Sequence, residues 1–107
     1  MKTVYLSGPV TNNPHALDDF EEAHEYIRMI GHIPLNPIRI DPPKTNEEDK
    51  WGYFMRKSIA LLMKSDAIYM LGGWWDSKGA ILEFDLCTKL GIPVYFECER
   101  GKLNELG

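Results

Sequence analysis

The sequence predicts an α/β fold, with helices packed on a parallel sheet. Three observations carry the prediction. Short runs of β-branched and aromatic residues alternate with longer segments whose apolar residues recur at helical spacing. One short run, Asp66–Leu71 (DAIYML), is apolar almost throughout, as a strand covered on both faces must be. Glycine or proline punctuates most of the joins.

The elements follow in order. Lys2–Ser7 (KTVYLS) reads as a strand stopped by Gly8-Pro9, and Val10–Pro14 (VTNNP) as a turn-rich loop. From His15 to Ile30 the apolar positions Leu17, Phe20, Ala23, Ile27 and Ile30 mark a helix that Gly31 closes. His32–Leu35 is a second strand. Ile38–Lys50 (IRIDPPKTNEEDK) carries two prolines and many charges without periodicity, which predicts a long loop of the kind used as a lid. Trp51–Lys64 returns to helical spacing through Trp51, Met55, Ile59 and Leu62. After the Asp66–Leu71 strand, Ser77–Leu90 is a third helix closed by Gly91, Ile92–Phe96 is a fourth strand, and a short polar tail ends the chain.

Strands alternating with helices imply right-handed crossovers and helices on both faces of the sheet. Ligands of such sheets sit beyond the carboxyl ends of the strands, where strand order reverses. The loops leaving those ends are Gly8–Pro14, Ile38–Lys50 and Gly72–Asp76, and Gly8 is a candidate for ligand contact.

At 107 residues, residues 1–107 are expected to form a single domain around one core. A net charge of −4 and a pI near 5.3, without a basic cluster beyond Arg56-Lys57, argue against binding long nucleic acid. A small anion remains suitable, because a helix start and one or two cations suffice for it. The apolar runs are too short to span a bilayer, so no membrane partner is expected. Met-Lys leads straight into a strand pattern with no signal peptide, and Cys87 and Cys98 have no pairing motif. A cytoplasmic protein with reduced thiols is the expectation.

The segment LGGWWDSKGAILEF, residues 71–84, holds the candidate site residues. Ser77 or Asp76 is placed to cap the third helix, whose first-turn amides suit a phosphate or carboxylate, with Lys78 adding charge. An ordinary N-cap is the plain alternative. Glu83 shares a helix face with Gly79 and Ala80, and helical side chains lean toward the N-terminus. Its carboxylate would reach over an open slot left by those two small residues, toward a ligand at the helix start. Otherwise it is a solvated glutamate on a helix that packs close to the sheet. Tyr5 on the first strand would orient a carboxylate through its hydroxyl, or serve as a core tyrosine. Trp74 and Trp75 suggest a stacking wall for a nucleobase, one facing the ligand and the other packing; their rivals are plain core packing and a subunit interface.

Several chemistries are excluded. Arg28 stands where His24-Glu25 would need a second zinc-binding histidine, and no CxxC occurs. SGPVTNNP after the first strand is neither a P-loop nor a dinucleotide fingerprint, and Ser7 lacks a nucleophile-elbow context. No metal or cofactor is expected.

YLSGP, WGYFMRKSI, SDAIYMLGGW and SKGAILE together resemble one family across nearly the whole chain. It comprises the small, often phage-encoded relatives of nucleoside 2-deoxyribosyltransferases and deoxynucleoside 5′-monophosphate N-glycosidases. The resemblance implies a flavodoxin-like three-layer sandwich with a mostly parallel four- to five-stranded sheet. It also implies a nucleotide or nucleoside ligand and cleavage or transfer at the base–sugar bond, with no cofactor. Glu83 would match the nucleophile, Tyr5 the residue that positions it, and Ser77 the contact to the 5′-phosphate or sugar. A homo-oligomer is expected. The sequence departs from the pattern at Ser58, where active relatives carry an aspartate eight residues before the one matching Asp66. That aspartate helps protonate the departing base, so Ser58 would line the site without supplying the acid, and Asp76 is the candidate to compensate. A nucleotide-binding module without catalysis and a structural subunit joined through its tryptophans are the rival readings.

Overall fold

A computed structural model describes residues 1–41 and 50–106. The strands are β1 (Thr3–Ser7), β2 (Ile33–Leu35), β3 (Ala67–Met70) and β4 (Val94–Phe96). The helices are α1 (Ala16–Met29), α2 (Lys50–Leu62) and α3 (Lys78–Leu90). The strands form one sheet in the order β2-β1-β3-β4, with every neighbouring pair parallel. This is the start of the flavodoxin order, and strand order reverses between β1 and β3. The expected α/β sandwich is therefore present, with four strands.

Alternation along the central strands decides what each face holds. Val4 and Leu6 of β1, with Tyr69 of β3 and the following Leu71, pack against Phe20, Ala23 and Ile27 of α1. Tyr5, Ile68 and Met70 face the other way, onto Leu62 of α2 and onto Ala80 and Cys87 of α3. Strand residues point alternately to the two faces, so each strand contributes to two separate cores.

The observed elements are one or two residues shorter than the periodicity suggests. Ser77 is the N-cap of α3, its Oγ accepting from the Ala80 amide at 3.2 Å. Gly91, at φ 73°, closes that helix in the left-handed region. Of the expected Ile38–Lys50 loop, Pro37–Arg39 forms a 3₁₀ turn capped by the Asn36 side chain. Residues 42–49, where most of the expected lid falls, lie outside the described residues.

The polar tail folds back onto the domain: Glu97–Leu106 forms 3₁₀ turns interrupted by a kink at Glu99, and Leu103 is fully buried in the α1 core. The sequence hides this because two leucines, Leu103 and Leu106, among polar residues are too few to set a periodic signal. Glu97 also reaches back, accepting from the Gly72 amide at 3.1 Å, and so ties the tail to the loop after β3. No helix among the described residues is long and apolar enough to cross a membrane.

Candidate active site

The carboxyl end of β1 and the loop after it open into a cavity of about 570 Å³, bordered by α2 and the start of α3. That volume falls within the range of small-molecule sites. Glu83, on the second turn of α3, projects into its floor and is only 5% exposed. Tyr5 donates its hydroxyl to Glu83 Oε2 at 2.5 Å, and Ser7 donates to Oε1 at 2.7 Å. Tyr5 and Ser7 are two apart on β1, so they share the face turned toward α3. The carboxylate is thus neither solvated nor unpaired.

The electrostatics follow from that burial. Desolvation pushes Glu83 up to about 7, and the bonds from Tyr5 and Ser7, which favour the anion, oppose only part of the rise. Tyr5 is held well above the ordinary phenol value by burial first and by the Glu83 charge second. Its proton therefore stays on the phenol oxygen and the bond keeps its direction. The Ser58 hydroxyl, buried on α2, acts weakly the other way on Tyr5.

Of the residues singled out in the sequence, Tyr5, Gly8, Ser58, Asp76, Ser77, Lys78, Gly79 and Glu83 all line this cavity. Gly8 is required by close approach, since a Cβ there would stand 2.8 Å from the Leu71 Cβ. The backbones of β1 and β3 could not otherwise run so near one another into the site.

Two expectations need correction. Trp74 and Trp75 do not line the cavity. Trp74 stacks on Phe84 with ring centroids 4.8 Å apart and also lies against Phe96, while Trp75 meets Trp74 edge-on and is 59% exposed. The aromatic lining comes instead from Trp51 and Phe54 of α2 and from Phe20 of α1. The slot over Gly79 is not open either. A Cβ at Gly79 would stand 2.9 Å from the Met55 sulfur, so the glycine admits α2 rather than leaving a space. Lys78 lines the cavity with its Nζ over the Trp51 ring, 4.3 Å from the centroid.

The sequence reading missed Ser7, Trp51 and Phe54. For Ser7 the signal was available: it lies two residues from Tyr5, a polar residue in line with a tyrosine on a central strand. Trp51 and Phe54 carried none, because aromatics at helical spacing are more often core than ligand wall.

The family model described as a domain of unknown function, DUF4406, matches residues 2–96, and the chain belongs to that family. No curated protein matches the sequence. Among solved structures, the chain is similar to the 2-deoxyribosyltransferase of the psychrotolerant bacterium Bacillus psychrosaccharolyticus, a biocatalyst for the synthesis of antiviral and antitumoral nucleosides. The TM-score is 0.70 at 18% identity, covering 88% of this chain and 70% of the other. At that identity the likeness establishes a shared fold.

Burial of Glu83 has a consequence for stability. Its folded value, about 7, exceeds the ordinary 4.5, so between those two values the folded chain holds a proton that the unfolded chain has released. Stability should therefore fall as pH rises from about 4.5 to about 7, by about 3 kcal/mol in all. Glu83→Gln carries no charge to bury. Its denaturation midpoint should match the native protein near pH 4 and exceed it at pH 8. Equal differences at the two pH values would show that the carboxylate is not buried as a charge.

Proposed function

We propose that this chain cleaves, or transfers at, the N-glycosidic bond of a (deoxy)nucleoside 5′-monophosphate, with Glu83 as nucleophile and residues 1–107 acting as one catalytic domain. The observation that carries the reading is the carboxylate at the floor of a nucleotide-sized cavity, oriented by two hydroxyl donors. The fold likeness to a 2-deoxyribosyltransferase supports the same chemistry.

In this reading one Glu83 oxygen attacks C1′ of the sugar. The C1′–N bond breaks, its electron pair leaves with the base, and a glycosyl ester forms on Glu83. The leaving nitrogen takes up a proton as it departs. Asp76 is, with Glu83, one of the two carboxyl groups among the described residues lining the cavity, and it is our candidate for that donor. Water or a second base then attacks C1′ and frees the carboxylate. Before attack, Tyr5 and Ser7 are both bonded to the carboxyl group and hold its plane.

In this reading the 5′-phosphate would sit at the start of α3. Ser77 caps that helix from the cavity side, and amides at such a helix start have no intrahelical partner. Lys78 lies close by over Trp51 and needs only a rotation of its side chain to meet an anion. Trp51 and Phe54 offer flat apolar surface for the base.

Ser58 favours a second reading, a nucleotide-binding module without turnover. It lines the cavity beside Tyr5 with a hydroxyl where the resemblance calls for a carboxylic acid.

Chromatography of deoxynucleotides incubated with the protein should reveal free base, and Glu83→Gln should release none. The rate should rise with pH through about 7, because only the ionised carboxylate attacks. Bound nucleotide without any released base would overturn the enzyme reading and favour the binding module.

Ser58→Asp should raise base release about tenfold or more, the low end of what general acids contribute. The gain should vanish in the Glu83→Gln background. An unchanged rate would show that Ser58 does not occupy the place of an acid.

Calorimetric titration should find a 5′-monophosphate binding about tenfold or more tightly than its nucleoside, as expected for an anion at a helix start. Equal affinities would remove the phosphate from the start of α3.

A further inference from the structure

We propose that Ser7 is a positioning residue of this site: its hydroxyl, donated to Glu83 Oε1, works with Tyr5 to hold the carboxylate as an oriented anion. The inference deepens the proposed function and rests on it for its catalytic meaning. Its structural content stands on geometry.

A carboxylate bound through one oxygen can still turn about its terminal bond, a broad torsion with two shallow preferences. Tyr5 alone, bonded to Oε2, leaves that freedom largely intact. A second donor on Oε1, 2.7 Å away and anchored on the same strand, fixes the carboxylate plane relative to β1. Both donors are 1% exposed, so solvent does not compete for these bonds. Hydrogen bonds to an ionised acceptor are about twice as strong as neutral ones, and more so where water is excluded.

The two donors are not equivalent. The Tyr5 hydroxyl lies at the end of a ring packed in the core under α2 and α3, so it moves only with that ring. Ser7 is the last residue of β1, lines the cavity, and carries its hydroxyl on a single rotatable bond. Once an oxygen of Glu83 becomes an ester oxygen it is a poorer acceptor. Ser7 can turn away from it without disturbing the sheet, and turn back when the carboxylate is released. Losing one charge-assisted bond on ester formation makes the ester less stable relative to the free carboxylate. Ser7 therefore keeps the covalent intermediate from becoming a trap.

The other titratable groups around Glu83 are Tyr5 beside it, Asp76 and Lys78 in the cavity lining, and Cys87 one turn further along α3. All are untouched by a change at Ser7. A shift in Glu83 titration on such a change therefore reports the lost hydroxyl.

The test is a carbon-13 NMR titration of the Glu83 carboxyl in the native protein and in Ser7→Ala, Ser7→Cys and Ser7→Thr. Removing the donor should move the Glu83 midpoint up by about one unit, the size expected for a lost bond to a charged group. Cysteine, a weak donor of similar shape, should fall between, and it carries the test should the alanine variant not fold. Threonine keeps the hydroxyl and should restore the native midpoint. Under the proposed reaction the acid limb of the pH–rate profile should shift by the same amount in Ser7→Ala. A glycosyl-enzyme burst should appear in that variant, with kcat falling more than KM changes. An unmoved Glu83 midpoint in Ser7→Ala and Ser7→Cys would overturn the role of Ser7. A shifted midpoint with no base released by any variant would keep Ser7 as the carboxylate's second anchor and overturn the glycosidase reading instead.

Discussion

A carboxylate removed from water is the constraint on which the rest of this structure depends. An isolated buried charge costs several kcal/mol, and proteins tolerate it only where hydrogen bonds replace the lost hydration. Here the replacement consists of two hydroxyls on one strand. Tyr5 and Ser7 must therefore face α3, so Val4 and Leu6 must face α1, and the division of the molecule into two cores follows from that alternation. The same requirement fixes the height of α3 over the sheet. Its Glu83 has to meet both oxygens at once, and capping by Ser77 sets where the helix begins.

Close backbone contacts carry this placement outward. Gly8 lets the end of β1 run against Leu71, and Gly79 lets α2 press Met55 onto α3. Through that second contact α2 becomes the far wall of the cavity, bringing Ser58, Phe54 and Trp51 with it. The Trp74 stack on Phe84 and Phe96 lies behind the loop between β3 and α3, and the bond from Gly72 to Glu97 ties that loop to the tail. Trp74 thus packs behind this loop, and neither tryptophan lines the cavity.

The fold was largely legible in the sequence because its signals are local. Strand runs, helical spacing and closing glycines each lie within one element, and the continuous apolar run of β3 marks the sheet centre. The polar half of the site was legible for a related reason. Tyr5 lies on the first strand, and Ser77 and Glu83 on the cap and second turn of the helix after β3, elements whose place in a doubly wound sheet is known once the order of elements is known. What the sequence did not reveal depends on distances between elements. Whether Trp74 or Trp51 faces the cavity is set by the angle of α2 across α3, and no periodicity encodes that angle. Leu103 is buried for the same kind of reason: its partners on α1 and β1 are distant in sequence, and its neighbours are charged.

Burial of Glu83 works against the free protein and in favour of the proposed reaction. In the resting site the low-polarity surroundings disfavour the anion, which is why Glu83 titrates near 7. A nucleotide phosphate at the start of α3 adds a second negative charge and pushes the same way. The transition state of glycoside cleavage reverses the sign, because C1′ and the ring oxygen gain positive charge as the base departs. The attraction between that charge and the carboxylate is strongest where water is excluded. Interactions that strengthen only in the transition state are the ones that accelerate a reaction. In the proposed reaction the stability forgone by burying Glu83 would serve the bond-breaking step. The bonds from Tyr5 and Ser7 favour the anion and so oppose part of the rise that burial causes.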